Sequence, residues 1–146
     1  MLDDIDRTIV CALQEEARLT YAELGRRVSL SPAAVTERVH RLEDSGVITG
    51  YHAAVALKTA GLGIVAIVRL SVPAELSTQL ERLGQETHEV QEMYRVTGTE
   101  SHVMKVAVDS IEHLDRVTRV FLPFGLTTTS IVLTTPVARR TVDFGA

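Results

Sequence analysis

The chain has a single cysteine, Cys11, among its 146 residues. One thiol closes no internal disulfide and completes no cysteine-based zinc site, so the expected compartment is the reducing cytoplasm. Long apolar runs are also missing. None reaches the ~20 residues that span a bilayer, and the opening MLDDIDRTIV carries acids where a secretory signal carries bases, so no membrane partner is expected. Positive charge is in deficit: fifteen Lys+Arg stand against nineteen Asp+Glu, a net charge of −4. That excludes a protein that coats nucleic acid or anionic lipid by bulk charge. Residues 1–52 hold six arginines and nine acids, so any DNA contact there must come from a local arrangement.

Signatures of catalysis are absent too. There is no glycine-rich phosphate loop and no nucleophile elbow. The five histidines are scattered, with no pair at i, i+4, so neither a metal nor a cofactor is expected. Glu100 and His102 share a turn but lack a nucleophile or an orienting third group, and the chain reads as a non-enzyme. Cys11 lies beside the apolar stripe of the first helix and reads as a small buried hydrophobe.

What is present is a soluble composition, 45% apolar and 23% charged, with a clear helical pattern at the start. A first helix begins near Asp3, with Ile5, Ile9, Ala12 and Leu13 on one face. Thr20-Tyr21-Ala22-Glu23 has the form of a capping box for a second helix, whose Tyr21, Leu24, Gly25 and Val28 share a face. Gly25 costs about 1 kcal/mol in a helix interior, and close approach of a neighbouring helix is the expected reason for it. Ser31 and Pro32 are N-cap and first-turn residues of a third helix with Val35, Val39 and Leu42 inward, ended by Ser45-Gly46. Two short helices joined through Ser29-Leu30 form a helix-turn-helix. The outward face of the second of these, Ala33, Ala34, Thr36, Glu37, His40 and Arg41, suits a major groove: small residues for close approach, and polar side chains for bases and phosphates. The same face also fits a solvated side of a plain three-helix bundle, with Glu37 paired to Arg41.

After Gly46, residues 47–55 have strand propensity, and residues 58–63 form a loop. Strands are then expected at 63–72, 89–97, 103–108 and 126–135. Helices are expected around Leu76, Leu80 and Leu83, and from Ser110 through Ile111, Leu114, Val117 and Phe121. The order β-α-β-β-α-β is the ferredoxin-like split unit. Helices cover one sheet face only, and Ile64, Ala66, Val68, Val106 and Leu133 are not expected all to lie beneath them. A homo-oligomer, a dimer or larger, is the simplest cover.

The segment LSPAAVTERVHRLEDSGVITGY, with LDDIDRTIVCALQEEARLTYAELGRRVSLS before it, resembles the Lrp/AsnC family, the leucine-responsive and asparagine-synthase regulators. Its most specific run is Arg38-Val39-x-Arg41-Leu42-Glu43-x-x-Gly46-x-Ile48. The resemblance extends from Leu2 to about Val137. It implies an α+β protein in which residues 1–52 are a winged helix-turn-helix reader of double-stranded DNA. Residues 53–62 are then a strand and linker, and 63–146 a ferredoxin-like effector-binding and oligomerisation domain. The DNA-binding set it implies is Ser31, Ala33, Ala34, Thr36, Glu37, Arg38, His40 and Arg41. VTGTESHVMKV matches the family's effector turn, although Thr99 and Ser101 stand where acids are frequent and His102 where an aromatic is frequent.

A glycine-led turn exposes backbone N–H groups for a carboxylate and offers Glu100 for an ammonium, which suits an amino-acid effector. The effector-binding set that the resemblance implies is Gly98, Thr99, Glu100, Ser101 and His102, with Thr128 and Ser130 from the last strand. Taken without the resemblance, the turn is an ordinary polar hairpin and Thr128 and Ser130 are cross-strand packing. The expected function is a sequence-specific transcriptional regulator whose assembly or DNA affinity responds to a small effector. The alternatives are an oligomeric ligand-binding module acting on a protein partner, and an architectural DNA-binding protein that needs no ligand.

Overall fold

The computed structural model describes residues 2–144. They form two compact units, residues 2–54 with 137–144, and residues 55–136. Among the described residues, no helix is long and apolar enough to cross a membrane.

The first unit is built on α1 (Asp4–Glu15), α2 (Tyr21–Val28) and α3 (Pro32–Asp44). Each starts at a side-chain cap: Asp3 accepts from the Asp6 N–H, Thr20 forms a complete capping box with Glu23, and Ser31 accepts from the Ala34 N–H. Ile9, Leu13, Leu24, Val35, Val39 and Leu42 make one buried core. Gly25 is explained differently from the expectation. An added Cβ would lie 2.5 Å from the Leu30 carbonyl oxygen, so the closest neighbour is the backbone of the turn itself, with Pro32 N at the start of α3 next at 3.7 Å. Ser29, at φ 55°, reverses the chain there, and the Leu30 N–H donates to Gly25 O at 2.9 Å.

Two expectations for this unit fail. Residues 47–55 form no strand. The Val47 and Ile48 N–H groups both donate to Leu42 O, at 3.0 and 3.1 Å, finishing α3. An extended segment with no partner strand does not become sheet on propensity alone. The C-terminal residues also differ from the expected 63–146 domain, because 137–144 belong to the helical unit. Gln14 exchanges two hydrogen bonds with the Val142 backbone, at 2.8 and 3.1 Å, and Phe144 packs on the core.

The second unit is the ferredoxin-like sheet: β1 (Ile64–Ser71), α4 (Ser77–Glu86), β2 (Val90–Arg95), β3 (His102–Val108), α5 (Ile111–Arg119) and β4 (Leu126–Ile131). Strand order is β2-β3-β1-β4, with antiparallel neighbours throughout. β4 stops short of the expected Thr135. Ile131 pairs with Ala66 and the Val132 N–H still reaches Val65 O, but β1 begins at Ile64 and leaves later residues nothing to pair with.

Sheet parity corrects the expected exposed face. Ala66, Val68 and Val106 are fully buried with Leu80, Leu114, Val117 and Phe121 of the helices, and Ile64 packs on the same core. Leu133 lies beyond β4 and is 91% exposed. The helix-free face carries the alternate residues instead: Val65, Ile67 and Arg69 on β1, Val103 and Lys105 on β3, and Glu92 and Tyr94 on β2. It is a mixed surface in which Lys105 Nζ donates to Glu92 at 3.0 Å and the Tyr94 hydroxyl donates to the same carboxylate.

Candidate nucleic-acid interface and effector turn

The helix expected to read DNA is α3. Its inward side is Val35, Val39 and Leu42; Ala33, Glu37, His40 and Arg41 are exposed, and Ala34 and Thr36 are half-buried. Ser31 is exposed, but its hydroxyl oxygen is engaged as the N-cap at 3.2 Å from the Ala34 nitrogen. The Thr36 hydroxyl donates to Pro32 O at 2.8 Å, which commits its proton and leaves its oxygen as an acceptor beside the methyl. Small residues therefore stand at the helix start and charged ones further along, the order a groove-entering helix needs.

Arg38 departs from the expected set. Its Nη1 lies 2.7 Å from Asp3 Oδ2 and 2.7 Å from Asp6 Oδ1, and its side chain is 22% exposed. This guanidinium is committed inside the unit. Its bond, with the Asp6 backbone N–H, holds the Asp3 carboxyl below the usual range, and the two acids in turn raise the pKa of Arg38. Arg41 does not pair with Glu37; its Nη2 reaches Asp6 at 3.3 and 3.4 Å. Asp6 is thus the site residue that sequence reasoning missed. Its only local signal is an acid beside an apolar stripe, and its partners lie more than thirty residues away. Arg26 and Arg27, exposed in the last turn of α2, are further cations outside any salt bridge among the described residues. The extended segment after α3 is tied back by Tyr51, whose hydroxyl donates to Glu43 at 2.8 Å. Desolvation, reinforced by that carboxylate, pushes the phenol pKa up to about 12.

In the sheet unit, the turn between β2 and β3 divides in two. Gly98, Thr99 and Glu100 are exposed, with Gly98 at φ 120°. Ser101 and His102 point the other way. The Ser101 N–H donates to Leu70 O at 2.8 Å, and its hydroxyl oxygen accepts the Val72 N–H at 3.0 Å. His102 opens β3 rather than lying in the turn, and is fully buried. Its Nδ1 is 2.9 Å from Ser101 Oγ, and its Nε2 is 3.3 Å from Glu81 on α4. His102 is therefore unavailable to a ligand in this conformation. Thr128 and Ser130 are exposed on the helix-free face, where Ser130 accepts from Arg69 at 2.9 Å. Their strand lies two places from β3 in the sheet, so one subunit does not place them with the turn. No group of three or more His, Cys, Asp or Glu residues that could hold a metal occurs among the described residues.

Comparison with known proteins returns two families, one over the three helices and one over the sheet and the segment that follows it. Residues 2–49 match the winged helix-turn-helix DNA-binding family, and residues 65–142 match the Lrp/AsnC ligand binding domain. The transcriptional regulator LrpC of Bacillus subtilis is 32% identical over 131 residues, covering 90% of this chain and 91% of the relative. The solved structure of Escherichia coli AsnC has a TM-score of 0.88 and 30% identity, covering 96% of this chain and 97% of AsnC. The NMB0573/L-Met complex of Neisseria meningitidis has a TM-score of 0.93 over 99% of this chain and 98% of its own; at 24% identity it shows the fold alone.

A recognition helix joined in sequence to a ligand-binding sheet domain defines the class: a helix-turn-helix DNA-binding transcriptional regulator, in which recognition rather than enzymatic chemistry is the activity. Within that class, the chain belongs to the Lrp/AsnC family.

Proposed function

We propose that this regulator is a cytoplasmic homo-oligomer that binds specific DNA sequences through paired α3 helices and senses an amino acid at the turn 98–100. The observation that carries the reading is the division of that turn. An exposed, glycine-led tip is joined through Ser101 to the buried His102, so a ligand at the tip acts on a residue anchored in the core. Glu100 accepts from the ammonium, the backbone N–H groups donate to the carboxylate, and Thr128 and Ser130 contribute from a neighbouring subunit. L-Met in the Neisseria meningitidis structure makes an amino acid the first chemical class to test. The oligomer rests on the helix-free face, whose half-buried Val65, Ile67 and Val103 are apolar surface that a second copy would cover. Two α3 helices related by a two-fold axis read two half-sites and double the phosphate contacts, which offsets the net negative charge of one chain. The ligand acts by linkage: it binds one assembly state better and shifts the spacing of the paired helices.

The test is fluorescence anisotropy on DNA from upstream of the protein's own gene, at two salt concentrations, with and without an amino-acid panel, and with light scattering alongside. Salt-sensitive binding changed by one amino acid is the expected result. Affinity and particle size unmoved by the whole panel would leave a ligand-independent DNA-binding protein.

A further inference from the structure

Arg38 and Arg41 have the same charge and share the carboxylate of Asp6, but they are held in different ways. Asp6 is buried, its side chain 7% exposed, and a buried carboxylate needs a partner. Arg38 supplies it at 2.7 Å while also closing on Asp3 at 2.7 Å, and is itself mostly covered. Arg41 adds a looser contact at 3.3 and 3.4 Å to the two oxygens of the same group, and its side chain is 58% exposed. At 100° per residue the two positions lie about 60° apart around α3. Arg38 falls on the flank next to the core residues Val35, Val39 and Leu42, and Arg41 lies further toward the outward face of Ala33, Glu37 and His40.

We infer that Arg41 is a parked cation, resting on Asp6 in the free protein and passing to a DNA phosphate in the complex, while Arg38 stays behind as the clamp on Asp6. The asymmetry is what makes the transfer inexpensive. When Arg41 leaves, Asp6 keeps its short bond to Arg38, so no buried charge is stranded. If Arg38 left instead, both Asp3 and Asp6 would lose their closest partner. Holding the guanidinium at the edge of α3 also limits the conformations it must give up on binding. A phosphate contact carries no sequence information, so Arg41 contributes affinity and register, and base discrimination falls to the residues further round the face. This inference rests on the DNA-binding role of the unit and deepens it.

The experiment is anisotropy of two labelled duplexes of unrelated sequence, titrated over a range of salt with the full chain and with Arg41→Gln, Arg41→Lys and Asp6→Asn. Melting curves establish that each variant is folded. Arg41→Gln is expected to weaken binding by the same factor on both duplexes. It should also reduce the slope of log K against log salt by about 0.9 for each phosphate that is no longer neutralised. Arg41→Lys should keep the slope, since it keeps the charge. Asp6→Asn should keep it too and bind at least as tightly, because Arg41 no longer has a carboxylate to leave. An unchanged slope in Arg41→Gln, a weakening confined to one duplex, or an equal flattening in Asp6→Asn would overturn the inference. Wild-type binding that ignores salt would remove the DNA-binding role as well, and so is distinguishable from those results.

Discussion

His113 on α5 places its Nε2 2.9 Å from Glu89 Oε1, while its Nδ1 lies 3.0 Å from Asp109 Oδ1. Only the charged ring donates through both nitrogens. The bond to Glu89 is the main cause raising the His113 pKa above its ordinary 6.5, and His113 in turn holds Glu89 below its ordinary 4.5. A raised histidine contributes stability that is complete below its unfolded value and lost as pH rises through the folded value. A depressed carboxylate contributes stability that is complete above its unfolded value and lost as pH falls through the folded one. Both contributions are in force between about pH 4.5 and 6.5. The melting temperature of the wild type should therefore exceed that of His113→Gln most in this window, with the gap narrowing as pH rises above it through the raised value of the ring. A gap of constant size across the range would show that the ring acts by packing alone.

Gly25→Ala tests the geometry of the turn between α2 and α3. The new methyl would meet the Leu30 carbonyl at 2.5 Å, and that atom is backbone, so the turn itself must move. Overpacking of this kind costs about 1–3 kcal/mol. The variant should melt earlier and lose DNA affinity, since α3 follows Leu30 directly. Unchanged melting and binding would mean that the turn tolerates the shift.

The legibility of the fold follows from how far away each partner lies. All three helices of the first unit were readable because their caps are local: Asp3, Thr20 and Ser31 each bond within three residues. Sheet parity was not. From Ile64 to Val68 every residue of β1 is apolar, so alternation there cannot say which face meets the helices; the informative signals were Arg69 and Lys105, which mark the open side. The inward turn of His102 depends on Glu81, and the bond of Gln14 to Val142 spans almost the whole chain. Arg38 carries the same lesson for the site. A family motif placed it in the DNA-binding set, and its guanidinium is engaged by Asp3 and Asp6, which lie more than thirty residues away.

Gly98→Asp separates the effector turn from the DNA reader. Nothing lies within 4 Å of an added Cβ, so the obstacle is not a steric wall inside the subunit; it is the φ of 120°, which an aspartate adopts only under strain. Such strain costs on the order of 1–3 kcal/mol and should redirect the exposed tip. The variant is expected to bind DNA as the wild type does while failing to respond to the amino acid that shifts the wild type. Anisotropy with and without that amino acid checks both halves. A retained response would place the ligand away from the turn.

Ser101→Ala probes the anchor beneath that tip. The Ser101 hydroxyl oxygen takes the Val72 N–H, and its single proton then has three acceptors in range: His102 Nδ1 at 2.9 Å, Leu70 O at 3.3 Å and Val72 O at 3.4 Å. The imidazole is the closest of them, and the other ring nitrogen, Nε2, faces Glu81 at 3.3 Å. Removing the hydroxyl strands the Val72 N–H and the inner ring nitrogen together. Each unsatisfied buried group costs about 1–3 kcal/mol, although the half-buried position of Ser101 lets water recover part of this. Hydrogen exchange should therefore accelerate at the Val72 amide and along residues 98–102, with amides of α1–α3 unaffected. If the turn exchanged at its wild-type rate, the hydroxyl would be dispensable and the backbone bond from Ser101 to Leu70 would be the anchor by itself.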